Sequence, residues 1–256
     1  MINLFPDIKN PFDAPVYYLE TVTSTMDISK ELAKEGAPHG TVIAADYQEK
    51  GRGRGLQRTW EMDKSAGLPF TVLLRYPGIG DIPSALTLRV GLAISLAIEE
   101  FKSSLKGSVM IKWPNDIMIN EKKAAGLLCE TDGRNVYIGI GVNITQKEFP
   151  LHLKEKATSI SICAKRDITQ DEKFILLEKI LIQLFNEFDK LNEIKPRLEE
   201  RLFKKGENIL FMEGRADCGK EVKGTLAGIT ESGELLILPH GENELRSFIT
   251  GELSFT

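Results

Sequence analysis

The sequence has few of the residues that build disulfide frameworks and metal centres. It contains three cysteines and three histidines among 256 residues. Cys129, Cys163 and Cys218 are odd in number and far apart, so they predict neither a disulfide framework nor a zinc site. This cysteine usage is typical of a protein in a reducing compartment.

The sequence also lacks a secretion signal and an apolar run long enough to cross a membrane. Residues 1–15 carry acidic side chains and three prolines without an apolar core, so we expect no signal peptide. The most apolar long stretch, residues 85–98, is interrupted by Thr87, Arg89 and Ser95 and is too short to span a bilayer. We therefore expect a cytoplasmic protein with no membrane partner.

A strong excess of charge of one sign is missing as well. The formal net charge is −4 and the pI is about 5.6, whereas a dedicated nucleic-acid binder usually has a basic face and a high pI. The apolar fraction of 42% and the charged fraction of 27% are ordinary for a globular protein. The length favours one large domain, or one domain with a small module.

What the sequence does have is a local concentration of positive charge and glycine. Residues 51–55 read GRGRG, and the stretch 50–58 carries four positive charges and no negative one. Glycine loses much backbone freedom on ordering, so this segment is predicted to be a mobile loop rather than a helix or strand. Arginine can grip phosphate or carboxylate with two parallel hydrogen bonds. The loop therefore predicts either an anion-binding site or a solvated or RNA-contacting surface.

A second segment, residues 112–116, reads KWPND and follows a predicted strand. The amide of Asn115 can read an adenine edge through a paired donor and acceptor. The carboxylate of Asp116 can hold Mg²⁺, which needs only one or two protein oxygens. The alternative for both residues is an ordinary turn stabilised by Asn and Asp side chains.

Two further predicted strands carry glycines, and one of them begins with two lysines. Residues 122–128 read KKAAGLL, so Lys123 can point a charge into a pocket that has Gly126 as its floor. Residues 139–143 read GIGVN, where glycine permits close approach of a ring or of backbone. The alternatives are a solvated lysine at a strand end and an ordinary bulge.

The rest of the sequence predicts alternating strands and helices, followed after about residue 206 by short strands separated by turns. An apolar stripe in a predicted helix over 171–193 is interpreted as core; it consists of Phe174, Leu177, Leu181, Leu184, Phe185 and Phe188. Pro196 is predicted to open a short helix that Gly206 closes. Four short strands then follow at 208–212, 222–229, 235–238 and 245–249, which is typical of a small β-barrel. We expect two domains, residues 1–206 and 207–256.

In this order and spacing, the four segments resemble the biotin–protein ligase family, the biotin–[acetyl-CoA-carboxylase] ligases. The family's loop is matched by GRGRGLQRTW, although residues 55–57 make it one residue longer than in some members, and KWPND is intact. KAAGLL and GIGVN match its two strands, and 251–253 resemble its closing Gly-Glu-[IL]. The resemblance implies an α+β fold: a class II aminoacyl-tRNA synthetase-like catalytic domain with a mixed, largely antiparallel sheet, followed by a small Src-homology-3-like barrel.

The resemblance also implies a two-step reaction. Biotin and ATP form biotinyl-5′-adenylate and pyrophosphate, and biotin then passes to one lysine of a biotin carboxyl carrier domain. The implied catalytic residues are Arg54, Lys123 and Asp116, with Asp116 holding Mg²⁺ or orienting the carrier lysine. The implied biotin-binding residues are Ser24, Thr25, Gln48, Gly51, Arg52, Lys123 and Gly126. The implied ATP-binding residues are Arg52, Arg54, Trp60, Lys112, Asn115 and Asn143.

Other interpretations and partners stay open at this point. A lipoate–protein ligase would use the same fold and chemistry, and a non-catalytic module could use the basic loop for RNA. Only about fifteen residues precede the first predicted strand, so we expect no DNA-binding domain of the kind some relatives carry. A homodimer is possible. His39, His152 and His240 lie outside every motif, so no histidine is a candidate catalytic residue.

Overall fold

The computed structural model describes residues 3–5, 8–55, 58–189, 194–214 and 219–255. Parts of three sequence predictions lie outside these residues: Leu56 and Gln57 of the basic loop, the end of the long helix at 190–193, and Cys218.

The larger part of the chain forms a mixed eight-stranded sheet. Its strands are β1 (Asn3–Leu4), β2 (Val16–Val22), β3 (Thr41–Gln48), β4 (Gly67–Arg75), β5 (Val109–Lys112), β6 (Asp116–Ile119), β7 (Lys122–Thr131) and β8 (Asn135–Asn143). The spatial order is β1-β2-β3-β4-β8-β7-β6-β5, and only β2 and β3 pair in parallel among the described strands. The predicted mixed, largely antiparallel sheet is confirmed.

Helices cover both faces of this sheet. They are α1 (Thr25–Lys34), α2 (Leu86–Phe101), α3 (Ile160–Ala164), α4 (Gln170–Asp189) and α5 (Ile194–Glu199). Side chains alternate along a strand, so Phe70 and Val72 of β4 join the main core with α2, whereas Leu73 packs with Met26 of α1 on the opposite face. The α1 face of the sheet carries polar residues that line the cavity described below.

The helix α2 lies in the centre of the molecule, against β5, β6 and β7 on one side and α4 on the other. Among the described residues, one segment, Ile79–Phe101, is long and apolar enough to span a membrane by length and composition, so the expectation that the apolar stretch is too short was wrong on length. Of its most apolar window, 56% is buried inside the fold. A buried core helix accounts for that composition.

The C-terminal part forms a second, five-stranded antiparallel sheet. Its strands are β9 (Asn208–Glu213), β10 (Lys220–Ile229), β11 (Leu235–Pro239), β12 (Arg246–Phe248) and β13 (Gly251–Phe255), in the order β12-β11-β10-β9-β13. It is consistent with the small barrel expected from the sequence. The division into domains at residue 206 stays a prediction, since Trp113 joins the two sheets by donating from Nε1 to the Gly233 carbonyl at 3.0 Å.

Several element predictions were wrong in detail. The short helix begins at Ile194 and ends at Glu199, so Pro196 is its third residue and Gly206 lies well beyond its end. A proline fits there because the first turn needs no intrahelical N–H donors. The strand β13 and the helix α3 were missed. Phe185, expected in the core, is 40% exposed and packs edge-on against Phe12.

Candidate active site

A cavity of about 380 Å³ opens on the α1 face of the large sheet, beside the N-terminus of α1. Strands β7 and β8 form its floor, and the basic loop and the segment after β8 form its rim. Ten of the residues predicted for the site line it: Ser24, Thr25, Gln48, Arg52, Arg54, Trp60, Asn115, Asp116, Lys123 and Gly126. The four sequence segments that carried the resemblance therefore meet at one place.

The floor of the cavity is made of glycines that lie under the Trp60 ring. A Cβ atom at Gly141 would come within 2.5 Å of Trp60 Cε2, and one at Gly126 within 2.8 Å of Trp60 Cζ3. Only glycine fits at such separations, which confirms that these strands permit the close approach of a ring. The indole Nε1 is buried and has no hydrogen-bond partner in the described part of the chain.

Lys123 and Asp116 form an ion pair in the wall of the cavity. Lys123 Nζ lies 2.6 Å from Asp116 Oδ1 and 5.5 Å from the centre of the Trp60 ring. The two side chains are 34% and 24% exposed. Pairing of β6 with β7 places Asp116 opposite Gly126, and a register shift after Ile117 brings the lysine within reach. The pair is therefore fixed by the sheet rather than by a loop.

At the other end of the cavity lies a small hydrogen-bonded cluster. Gln48 Oε1 accepts from the backbone N–H of Thr25 at 2.8 Å and from its hydroxyl at 3.0 Å. The Thr25 hydroxyl also lies 2.9 Å from that of Thr71 on β4. The cluster offers hydroxyl and amide groups to a neutral polar ligand group.

The basic loop closes on itself and is attached at three points. Gly53 N donates to the Arg58 carbonyl at 2.7 Å, so the ends of the loop pair like a short hairpin. Arg52 donates to Asp27 Oδ1 at 2.7 Å, and Arg54 donates to the Gly251 carbonyl at 2.5 Å. Arg58 lies 2.5 Å from Glu252 Oε1.

These contacts join the loop to α1 and to β13 of the second sheet. Burial lowers the pKa of the Arg54 guanidinium, and the Glu252 carboxylate opposes that change. Arg54 therefore keeps a charge at the cavity rim that is only partly solvated. Charges held in such surroundings interact more strongly with a bound anion than fully solvated ones do.

Three residues predicted for the site do not reach the cavity wall. Gly51 lies at the base of the loop, where its carbonyl accepts from Trp60 N at 2.9 Å. Lys112 is placed over the Phe255 ring at 5.3 Å, and burial lowers the pKa of its ammonium while Asp116 opposes that change. Asn143 is buried and donates to the Thr158 carbonyl at 3.0 Å. Their roles in ligand binding stay predictions.

Asn115 does line the cavity, but part of its hydrogen-bonding capacity is already used. Its side-chain Nδ2 donates to the Leu127 carbonyl at 2.8 Å, and its backbone carbonyl accepts from Leu127 N at 2.9 Å. These two bonds fix the KWPND turn onto β7. The turn contains a cis Trp113–Pro114 peptide bond.

Several residues that the structure brings to the site were not predicted from the sequence. His152, which lies outside every motif, lines the cavity, and its Nε2 is 3.4 Å from Glu61 Oε1 across the mouth. Met26 and Thr71 line it too. Nothing local in the sequence marks His152, whereas Glu252 stood in the closing Gly-Glu-Leu that carried part of the resemblance.

The described residues contain no cluster of three or more His, Cys, Asp or Glu side chains that could hold a metal ion on its own. Mg²⁺ differs from other metals because it retains several waters and commonly uses one or two carboxylates together with substrate phosphates. The donor set at Asp116 fits that requirement, provided that Lys123 moves away from the carboxylate.

Comparison with known proteins agrees with the geometry. A sequence profile of the biotin/lipoate A/B protein ligase family matches residues 18–143. The fold superimposes on the structure of biotin protein ligase from Aquifex aeolicus in complex with biotin and ATP, with a TM-score of 0.78 and 30% sequence identity. The match covers 93% of this chain and 97% of that chain. The chain belongs to the biotin/lipoate A/B protein ligase family.

Other members of the family match the chain over different shares of their own length. The chain is 38% identical over 159 residues to the bifunctional ligase/repressor BirA of Bacillus subtilis. This match covers 59% of this chain and 47% of that protein. It is 29% identical over 205 residues to the biotin–[acetyl-CoA-carboxylase] ligase of Paracoccus denitrificans, covering 76% and 82% respectively. The chain thus spans about half the length of the Bacillus relative. The resemblance drawn from the sequence, and the class II synthetase-like fold it implied, are confirmed.

Proposed function

We propose that this protein is an ATP-dependent biotin–protein ligase. It activates biotin as biotinyl-5′-adenylate with release of pyrophosphate, and then transfers biotin to a lysine of a biotin carboxyl carrier domain. The observation that carries this proposal is the cavity in which Lys123 and the arginines of the basic loop face a floor of glycines and a buried polar cluster. The relatives that are named biotin ligases support it.

The cavity suits biotin because biotin has a neutral polar ring system at one end and a carboxylate at the other. The cluster of Thr25, Gln48 and Thr71 can hydrogen-bond to the ring. The Trp60 indole and the glycines supply apolar contact for the body of the ligand. Lys123 then supplies the cation for the carboxylate.

The first step joins two anions, so it needs cations. A carboxylate oxygen of biotin attacks the α-phosphorus of ATP, a new P–O bond forms, and pyrophosphate leaves with the electron pair of the broken P–O bond. Lys123 holds the attacking carboxylate, and Arg52 and Arg54 neutralise phosphate charge that develops in the transition state. Mg²⁺ held at Asp116 would supply further charge neutralisation when bound.

The second step needs an unprotonated amine, and a lysine ammonium has a reference pKa of about 10.4. The carrier amine attacks the acyl carbon of the adenylate, the C–O bond to the phosphate breaks, and AMP leaves. Asp116 is the carboxylate in the cavity wall that can accept the amine proton or orient the amine. The intermediate hydrolyses readily, so closure of the basic loop over it would protect it from water.

The cysteine usage and the family support a cytoplasmic location. We propose a biotin carboxyl carrier domain as the acceptor because relatives of this chain are named biotin–[acetyl-CoA-carboxylase] ligases.

Mass spectrometry of the bound intermediate tests the proposal. The protein is incubated with biotin, ATP and MgCl₂, separated from free ligand and measured under non-denaturing conditions. We expect retained biotinyl-adenylate that disappears when a carrier domain is added. Absence of the adenylate, together with retained RNA binding and no nucleotide turnover, would support the non-catalytic alternative instead.

A further inference from the structure

Asp116 occupies an unusual position among the charges of the cavity. Two carboxylates are found in the described lining, Glu61 and Asp116. Glu61 lies at the mouth and pairs with His152, whereas Asp116 lies in the wall and pairs with Lys123 at 2.6 Å. Most of the surface of each side chain in the Asp116–Lys123 pair is withdrawn from water.

The charge of the same carboxylate also acts on two further cations. Burial lowers the pKa of both Arg54 and Lys112, and in each case the negative charge of Asp116 opposes that change. Asp116 therefore forms an ion pair with Lys123 and adds a negative charge that acts on two further cations. That is the environment expected for the carboxylate of a substrate.

We infer that Asp116 takes the place of the biotin carboxylate at Lys123 in the free protein, and that biotin exchanges with it. This inference rests on the proposed function. When biotin enters, its carboxylate competes for the Lys123 ammonium and is repelled by the nearby Asp116 charge. Both effects weaken biotin binding in the absence of other cations, so Asp116 lowers the affinity of the free protein for biotin.

The exchange also links biotin binding to divalent-cation binding. A carboxylate that is paired with an ammonium at 2.6 Å is a poor metal ligand, because its charge is already neutralised. Once Lys123 has moved to biotin, Asp116 is free to bind a cation. A linkage of this kind is reciprocal, so Mg²⁺ and biotin each raise the affinity for the other. The arrangement favours metal binding after biotin has entered.

Calorimetric titration of biotin, without nucleotide or metal, tests the exchange. Asp116→Asn keeps the shape of the side chain and removes its charge. We expect this variant to bind biotin about three- to fivefold more tightly than the wild type, the range of a partly exposed ion pair. Biotinamide, which has no carboxylate, should bind both proteins equally. Glu155→Gln is the matched control, since it removes an exposed carboxylate that pairs with Lys122 outside the cavity.

A second titration relies mainly on the wild-type protein. In the presence of a non-hydrolysable ATP analogue, which supplies phosphate oxygens, adding MgCl₂ should tighten biotin binding by the wild-type protein and leave biotinamide binding unchanged, and in Asp116→Asn the effect of MgCl₂ should be lost. This measurement also decides the question if the variant does not fold.

Four results would overturn the inference. Weaker biotin binding by Asp116→Asn, or equal changes for biotin and biotinamide, would show that Asp116 orients Lys123 instead of competing with the ligand. A biotin affinity of the wild type that MgCl₂ does not change would contradict the linkage. A wild-type protein that bound neither biotin nor biotinamide would instead contradict the proposed function, and the inference with it.

Discussion

Gly141 leaves no room for a side chain, because a Cβ atom at this position would lie 2.5 Å from the Trp60 ring. We expect Gly141→Ala to push the indole out of its place over β8 and to destabilise the protein by about 1–3 kcal/mol, as overpacking does. Biotin affinity should fall as well. Urea unfolding and biotin titration measure the two effects.

Gly80→Ala is the matched control for this substitution. A Cβ at Gly80 would meet nothing within 4 Å. If Gly141→Ala matched the control in both stability and biotin affinity, the contact between β8 and Trp60 would not matter to the site.

We propose that the first step depends most on Lys123. We expect Lys123→Ala to lower the rate of adenylate formation by about 10²–10³-fold, the effect of losing one donor that stabilises transition-state charge. Biotin binding should weaken, whereas ATP binding should change little. Single-turnover adenylation and separate titrations of biotin and ATP measure this.

Lys122→Ala is a suitable control, because Lys122 points away from the cavity towards Glu155 at 3.4 Å. Poor ATP binding with normal biotin affinity in Lys123→Ala would place Lys123 in the nucleotide site instead.

At the scale of elements, the basic loop is attached to a strand that lies far away in the sequence. Arg54 and Arg58 contact Gly251 and Glu252 at the start of β13. With few apolar anchors, the loop orders only if such contacts and the ligand offset an entropy loss of roughly 1–2 kcal/mol per residue. The mobility of the empty loop stays a prediction.

Limited trypsin digestion measures the contribution of this attachment. We expect Glu252→Gln to increase cleavage after Arg52 and Arg54 about two- to fivefold, since each exposed ion pair contributes little. In the wild type, biotin with ATP should protect the same bonds strongly. Glu242→Gln, which breaks the pair with Arg246 within the second sheet, is the control. Equal cleavage in all proteins, with and without ligands, would mean that the loop is not part of the site.

Much of the large sheet could be predicted from the sequence, because its strands are marked by local patterns. In β8, Gly139 and Gly141 alternate with Ile138 and Ile140, and such alternation separates a ligand face from a core face. By contrast, β13 begins at a glycine that follows a turn, and its pairing with β9 is a long-range contact that no local pattern marks.

The residues of the candidate site that lie within sequence motifs could be predicted, whereas the contacts between them could not. Residues within motifs, such as Lys123 and Asp116, were recognised by type and neighbours. Their mutual ion pair was not, because it depends on the register shift between β6 and β7. His152 reaches the cavity only through the path of the segment after β8, and an isolated histidine carries no spacing that would reveal this.

At the scale of the whole molecule, an ion pair that joins the end of α2 to the start of α4 should contribute to stability in a pH-dependent way. Lys102 Nζ donates to Glu172 Oε1 at 2.9 Å, and this hydrogen bond, together with one from the Thr169 backbone N–H and the charges of Lys102 and Arg166, lowers the pKa of Glu172 to about 2. A lowered pKa in the folded state stabilises the protein above the carboxyl's ordinary pKa and loses that effect as the pH falls towards 2.

We therefore expect Glu172→Gln to be less stable than the wild type at neutral pH. The difference should shrink between pH values of about 4.5 and about 2, the ordinary and the lowered pKa of this carboxyl. Urea midpoints measured across this range test the expectation. A difference between the two proteins that did not depend on pH would mean that the pair acts through packing alone.

We propose that the two sheets act together. The large sheet binds biotin and ATP, and the second sheet holds the basic loop in place. Exchange of labelled pyrophosphate into ATP, measured with biotin and with lipoate as the carboxylate, tests this most directly. We predict exchange that requires biotin and Mg²⁺, is weak or absent with lipoate, and is lost in Lys123→Ala. Exchange driven by lipoate but not biotin, or no exchange with either, would contradict the proposed function.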